Sequence, residues 1–230
     1  MYLFNCLPFF VKKNTKIGRK PPSVFCNFLI YYSKRRELNM LKKIVVLLSV
    51  VNSLKDELPV YVAVQKMLTF SEREKIYTAE NVLYYEMFGE VEQDCRTRQY
   101  IKRSLLSLYK NGYIVGDPKF GSVIKRDFDE KYFVCISLSE YEKIMRTKQW
   151  KKLLKYFCFI VSRCINAKQS TTMSVEYITK QLDIDCKTVY KYNTILKDLE
   201  LINIKTAQNQ SNTYSRFKFS ENNLDDNLFS

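Results

Sequence analysis

The stretch DCKTVYKYNTILKDLELINI, Asp185 to Ile204, decides how this chain is read. Asp185 stands where a helix N-cap belongs, because a carboxylate there accepts hydrogen bonds from the free amides of the first turn. Val189, Tyr192, Leu196 and Leu199 recur at three- and four-residue steps, which places them on one inward face of a helix. Lys187, Thr188 and Lys191 occupy the opposite side of the first two turns, flanked by Tyr190 and Thr194. The run Leu201–Ile204 then predicts a strand, Asn209–Asn212 a polar turn, and Tyr214–Phe219 a return strand.

Reading backwards, SVEYITKQL (Ser174–Leu182) is a second helix with Ser174 as its cap, separated from the first by Asp183-Ile184. Two helices joined by so short a turn form a helix-turn-helix. In that arrangement the N-terminal half of the second helix enters the major groove of DNA. Lys there donates to guanine or phosphate, Thr bonds to either, and the helix N-terminus adds partial positive charge toward phosphate.

An upstream counterpart strengthens the reading. Laid on Asp185–Ile202, the segment TRQYIKRSLLSLYKNGYI (Thr97–Ile114) puts Thr97 on Asp185 as a cap, Ile101 on Val189, Arg103 on Lys191, Leu108 on Leu196 and Ile114 on Ile202. The preceding helices match as well, TAENV on SVEYI. The outer face of this first copy carries Arg98, Gln99, Lys102 and Arg103, with Arg96 just before it. Arg reads guanine and Gln reads adenine bidentately, each at about 1–3 kcal/mol of discrimination, so this copy is the richer sequence reader.

The same element order runs through both halves. In the first, Leu58–Phe70 is a helix with Pro59 in its first turn and Ile76-Tyr77 a short extended piece. Thr78–Phe88 is a helix capped by Thr78 and closed by Gly89, and Thr97–Lys110 the third. Tyr113–Val115 is a strand, and Ser122–Lys125 with Tyr132–Leu138 a hairpin. In the second, Ser139–Arg146 is a linking helix, Trp150–Cys164 an amphipathic helix, and Met173 marks an extended piece. Tyr156–Phe159 on that helix read as core rather than as a base-stacking platform. The strand pairs are wings, with Lys119, Lys125 and Arg126 on the first. The second carries Lys205, Asn209, Gln210, Asn212, Arg216 and Lys218. Such residues suit phosphates or the minor groove.

Composition bounds the function. A net charge of +14 over 230 residues points to a polyanionic partner, nucleic acid before an anionic membrane. The bland account is a lysine-rich genome that decorates surfaces. The seven cysteines are odd in number and form no C-x-x-C pair, and there is no His. Zinc sites of the usual type and Ser-His or Cys-His nucleophiles are therefore excluded, and free thiols in a reducing cytoplasm fit better. No phosphate-binding G-x-x-x-x-G-K motif occurs. Acidic residues such as Asp127–Glu130 do not converge into a nuclease site, so no enzyme, metal, cofactor or small-molecule ligand is expected. The longest apolar run, Ile44–Val51, is too short to span a bilayer. The charges at the N-terminus follow the apolar part, unlike a secretory signal, so the expectation is a soluble cytoplasmic protein without a membrane partner.

Four segments follow: a basic extension at 1–39, a first module at 40–138, a second at 139–219, and an acidic tail at 220–230. Residues 1–39 are either a basic arm along DNA phosphates or, as composition favours, a leader of little function with Met40 as the effective start.

SVEYITKQLDIDCKTVYKYNTILKDLELINI (Ser174–Ile204) and TRQYIKRSLLSLYKNGYIV (Thr97–Val115) resemble the winged helix-turn-helix proteins of low-GC Gram-positive bacteria, their plasmids and phages. The matching positions are Asp185, Lys187-Thr188, Val189 and Leu201-Ile202; Glu200 departs from the family's usual Gly, which the first copy keeps as Gly112. The resemblance implies an α+β, mainly helical fold with two winged-helix domains in tandem. It implies a sequence-specific binder of double-stranded DNA, first a transcriptional regulator and second a plasmid or phage replication initiator. The rival of another class is a winged-helix module that binds proteins. Two half-sites in direct repeat would fit one chain reading with both modules, and an inverted repeat would point to a homodimer.

Overall fold

The computed structural model describes residues 43–71, 73–90, 94–118, 121–124, 133–164, 170–206 and 211–217, all within one compact unit, Asn39–Ser230. The extension at 1–39, the wing residues Lys119, Lys125, Arg126, Asn209, Gln210 and Lys218, the acids Asp127–Glu130 and the tail at 220–230 lie outside the described residues.

The first half runs β1 (Lys43–Leu47), α1 (Leu48–Ser53), α2 (Leu58–Phe70), β2 (Lys75–Tyr77), α3 (Glu80–Phe88), α4 (Cys95–Lys110), β3 (Val115–Asp117) and β4 (Ser122–Ile124). The second runs β5 (Phe133–Ser137), α5 (Leu138–Met145), α6 (Trp150–Arg163), β6 (Ser170–Ser174), α7 (Val175–Leu182), α8 (Cys186–Asp198), β7 (Ile202–Thr206) and β8 (Ser211–Arg216). Element for element, the order is the same. The fold is mostly helical with small antiparallel sheets, ordered β2-β4-β3 in one half and β6-β8-β7 in the other.

The third sheet joins the halves. β1 pairs with β5 antiparallel, from Lys43 opposite Ser137 to Leu47 opposite Phe133, with Val45 facing Cys135 at the centre. The strands are equivalent members of the repeat, and because they pair antiparallel the start of each meets the end of the other. Ile44, Val46, Val134 and Ile136 point inward at the period of two expected of strands. Beneath them, Leu58 to Gln65 of α2 are buried on every side, which suits a central helix. α2 packs on α6, α1 on α6 and α3 on α5, so the halves share one core. Tyr156–Phe159 belong to that core.

Three expectations need correction. The first hairpin is β3 with β4, not Ser122–Lys125 with Tyr132–Leu138, because Phe133–Ser137 is taken by β1. That hairpin depends on Gly116, φ +153°, where a Cβ would lie 1.8 Å from the Ser122 carbonyl oxygen. Thr78 does not cap α3; it is buried, and its amide and hydroxyl both donate to Gly121 O, at 2.6 and 2.9 Å. Thr97 is not the cap of α4. Asp94 is, accepting from Arg96 N at 3.3 Å and Thr97 N at 3.0 Å. Helix α4 is therefore about a turn longer at its start than α8.

Beyond that extra turn the two copies run in the expected register. Ile101, Ser104, Leu105 and Leu108 of α4 are buried, and so are Val189, Tyr192, Asn193 and Leu196 of α8. Both helices close alike. Gly112 (φ 71°) and Glu200 (φ 55°) are left-handed, and Tyr113 N and Leu201 N return to Leu108 O and Leu196 O at 3.0 and 2.9 Å.

Candidate nucleic-acid interface

Helix α4 is held from inside and open outside. Its inner face packs on α2 and α3. Tyr100 is edge-on to Trp150 of α6, ring centroids 5.5 Å apart, and carries Lys151 Nζ 3.9 Å above its ring. Helix α4 thus leans on the second half of the chain. The Asp94 carboxylate sits below its ordinary range because the Thr97 hydroxyl, then the Thr97 and Arg96 amides, donate to it. The Asp94 carboxylate thereby meets the positive end of the helix.

The outer face divides. Arg96, Gln99 and Arg103 are exposed and line an open groove of about 530 Å³. Asp56 and Glu57 share that groove, and neither arginine is ion-paired to them among the described residues. Arg98 and Lys102 stand on the other flank and meet Glu80 at the start of α3. Arg98 Nε donates to Glu80 Oε2 at 3.0 Å, and Lys102 Nζ lies 3.6 Å from Oε1. Their side chains remain 57% and 63% exposed, so Glu80 positions them without covering them.

Helix α8 has the same build. Its carboxylate cap, Asp185, accepts from Thr188 N at 2.6 Å and from the Thr188 hydroxyl at 3.0 Å, and these bonds lower its pKa. The Thr188 hydroxyl donates its proton within the cap, so toward the base or phosphate expected of it the oxygen is left as an acceptor. Lys187 and Lys191 are exposed and unpaired among the described residues, Tyr190 is 58% exposed, and the Thr194 hydroxyl donates to Tyr190 O at 3.1 Å. Inside, Tyr156 OH donates to Asn193 Oδ1 at 2.5 Å, and Asn193 Nδ2 donates to Tyr214 OH at 3.2 Å. This buried chain ties α6, α8 and β8 together and sets the rotation of the helix. From α5, Lys143 Nζ donates to Leu199 O at 2.9 Å, satisfying a free carbonyl at the helix end.

The residues expected on the wings agree less well with expectation. Lys205 is exposed on β7. Arg216 is not a wing contact: it turns inward onto buried Glu140, Nε to Oε1 at 2.7 Å and Nη2 to Oε2. Asn212 is also buried, with Nδ2 donating to Tyr214 OH at 3.4 Å. Glu80, Glu140 and Asn193 escaped the sequence reading because each acts through a partner on another element. The visible signal was the Ser137-x-x-Glu140 capping box, which is formed.

Among the described residues no Cys, Asp and Glu converge to hold a metal ion, no helix is long and apolar enough to cross a membrane, and Cys95 and Cys186 are exposed free thiols. No family model matches the chain, and no curated protein or solved structure matches it.

Proposed function

We propose that each half is a winged-helix module and that the chain binds duplex DNA in a sequence-dependent manner. In this reading α3–α4 and α7–α8 are the helix-turn-helix pairs and β3–β4 and β7–β8 the wings. The observation that carries it is the pair Arg103 and Lys191. They are equivalent in the repeat, exposed and unpaired among the described residues, each outside a helix whose inner face is packed. The balance of +14 supports a polyanionic partner. The biological role proposed is transcriptional regulation in a bacterial cytoplasm. Two modules on one shared core favour replication initiation at a plasmid or phage origin as the second reading, since a single chain could grip two adjoining half-sites.

The test is selection of bound duplexes from a random library, then affinity of the winner at stepped salt. Arg96→Ala with Arg103→Ala should weaken binding and relax sequence preference, whereas Lys187→Ala with Lys191→Ala should mainly weaken it. Affinity should fall steeply with salt, each phosphate contact adding about 0.9 to the logarithmic slope. A flat salt response, as for a protein-binding module, or wild-type affinity in the fourfold variant, sinks the reading.

A further inference from the structure

Arg163, the last residue of α6, belongs to neither reading face. Its guanidinium lies over the Phe159 ring, 5.3 Å from the centroid, and Phe159 packs on Tyr177 at 6.4 Å. That stack holds the fork in place. Its Nε is buried without a hydrogen-bond partner, and the guanidinium forms no ion pair among the described residues. A charged donor left so is costly, and the cost vanishes when an acceptor enters from outside.

The surroundings suit such an acceptor. Arg163 lines an open groove of about 320 Å³ with Thr171, Thr172, Met173, Ser174 and Tyr177. The groove lies between the end of α6, strand β6 at the edge of its sheet, and the start of α7. The Ser174 hydroxyl accepts from Tyr177 N at 3.1 Å, and the Thr172 hydroxyl shares a proton with that of Thr213 at 3.0 Å. Ser174 still has its proton to donate. Glu176, exposed in the first turn of α7, makes no ion pair with Arg163. A fork, hydroxyls and a helix start together match an anion with several oxygens. The corresponding end of α2 is Phe70, which offers no such fork.

We infer that Arg163 and the groove beside β6 form a phosphate site that takes a backbone phosphodiester of the duplex read by α8. The inference rests on the DNA-binding reading, because α7 packs on α8 and β6. The site fixes register on the duplex and carries no base preference.

The experiment compares full-length wild type, Arg163→Gln and Arg163→Lys on the selected duplex at stepped salt. A second arm follows the Arg163 Nε–H NMR signal of wild type as duplex or inorganic phosphate is added. Expected are a salt slope lower by about one and affinity several-fold weaker for Arg163→Gln, with the preferred sequence unchanged, and the wild-type slope for Arg163→Lys. The Nε–H signal should move with duplex. Equal slopes and affinities for wild type and Arg163→Gln overturn the site. A signal that moves with inorganic phosphate but not with duplex overturns the backbone assignment in favour of a soluble phosphate. Should Arg163→Gln fail to fold, a wild-type signal unmoved by duplex still overturns it. A wild type that binds no duplex breaks the DNA reading itself, a result distinct from these.

Discussion

Glu140 grips Arg216 with both carboxylate oxygens while Oε2 also accepts from Ser137 N at 2.7 Å. One buried carboxylate thus caps α5 and anchors the last strand, and its side chain is 1% exposed against 18% for Arg216. Removing one partner of such a pair strands the other's charge. Arg216→Ala should lower unfolding free energy by about 3 kcal/mol, read by urea denaturation of the whole chain. Glu140→Leu with Arg216→Met should recover most of it. A loss under about 1 kcal/mol for Arg216→Ala would mean the pair is solvated.

Glu200 holds φ 55° where the first half has Gly112 at φ 71°. A side chain in that conformation costs about 1 kcal/mol, so Glu200→Gly should raise stability by roughly that amount. Gly112→Ala should lower it by a similar amount, since a Cβ there meets nothing within 4 Å and only backbone strain is added. Denaturation midpoints with unchanged slopes give both values.

Asp94 and Asp185 cap the two outer helices, and hydrogen bonds lower both carboxyls from the ordinary 3.8. Their capping is therefore present above pH 3.8 and lost as pH falls through the lower folded values. Far-UV circular dichroism should show helix loss below pH 3.8, and Asp94→Asn with Asp185→Asn should lose less, because amides cap without titrating. Identical acid profiles would contradict this.

Arg98 is tethered to Glu80 and Arg103 is not. Arg103→Ala should therefore cost more duplex affinity than Arg98→Ala, and Glu80→Gln should change the Arg98 contribution while leaving that of Arg103. Fluorescence anisotropy on the selected duplex measures each, and a larger loss from Arg98→Ala would reverse the ranking.

β1 and β5, equivalent strands of the two halves, pair antiparallel, which replaces the direct repeat expected for one chain by an inverted one. Selected duplexes should hold two half-sites in inverted orientation, bound by one chain per duplex, as two-fold dimers read palindromes. The half-sites should differ, since Gln99 and Arg103 face one and Lys187 and Lys191 the other. Direct repeats, or two chains per duplex by light scattering, would count against it.

Much of this was legible locally. The caps Ser174 and Asp185, the left-handed closure at Gly89 and the buried stripes of α4 and α8 follow from periodicity and short-range hydrogen bonds. The misreadings at Thr78 and Thr97 share one cause: each hydroxyl donates to an acceptor, Gly121 O in one case and the Asp94 carboxylate in the other, instead of accepting from a first-turn amide.

By itself the sequence determined the order of the helices from Leu58 onward and the inward faces of α4 and α8, because these depend on neighbours within a few residues, whereas β1 and α1 are legible there only as an apolar run. Only the tertiary structure decided that β5 leaves the hairpin for β1, that Glu80 tethers Arg98, and that Arg216 pairs with buried Glu140. Those partners lie far apart along the chain, and no local pattern names them. They meet because two equivalent central helices, each needing cover, bury one another and carry the rest of each half with them.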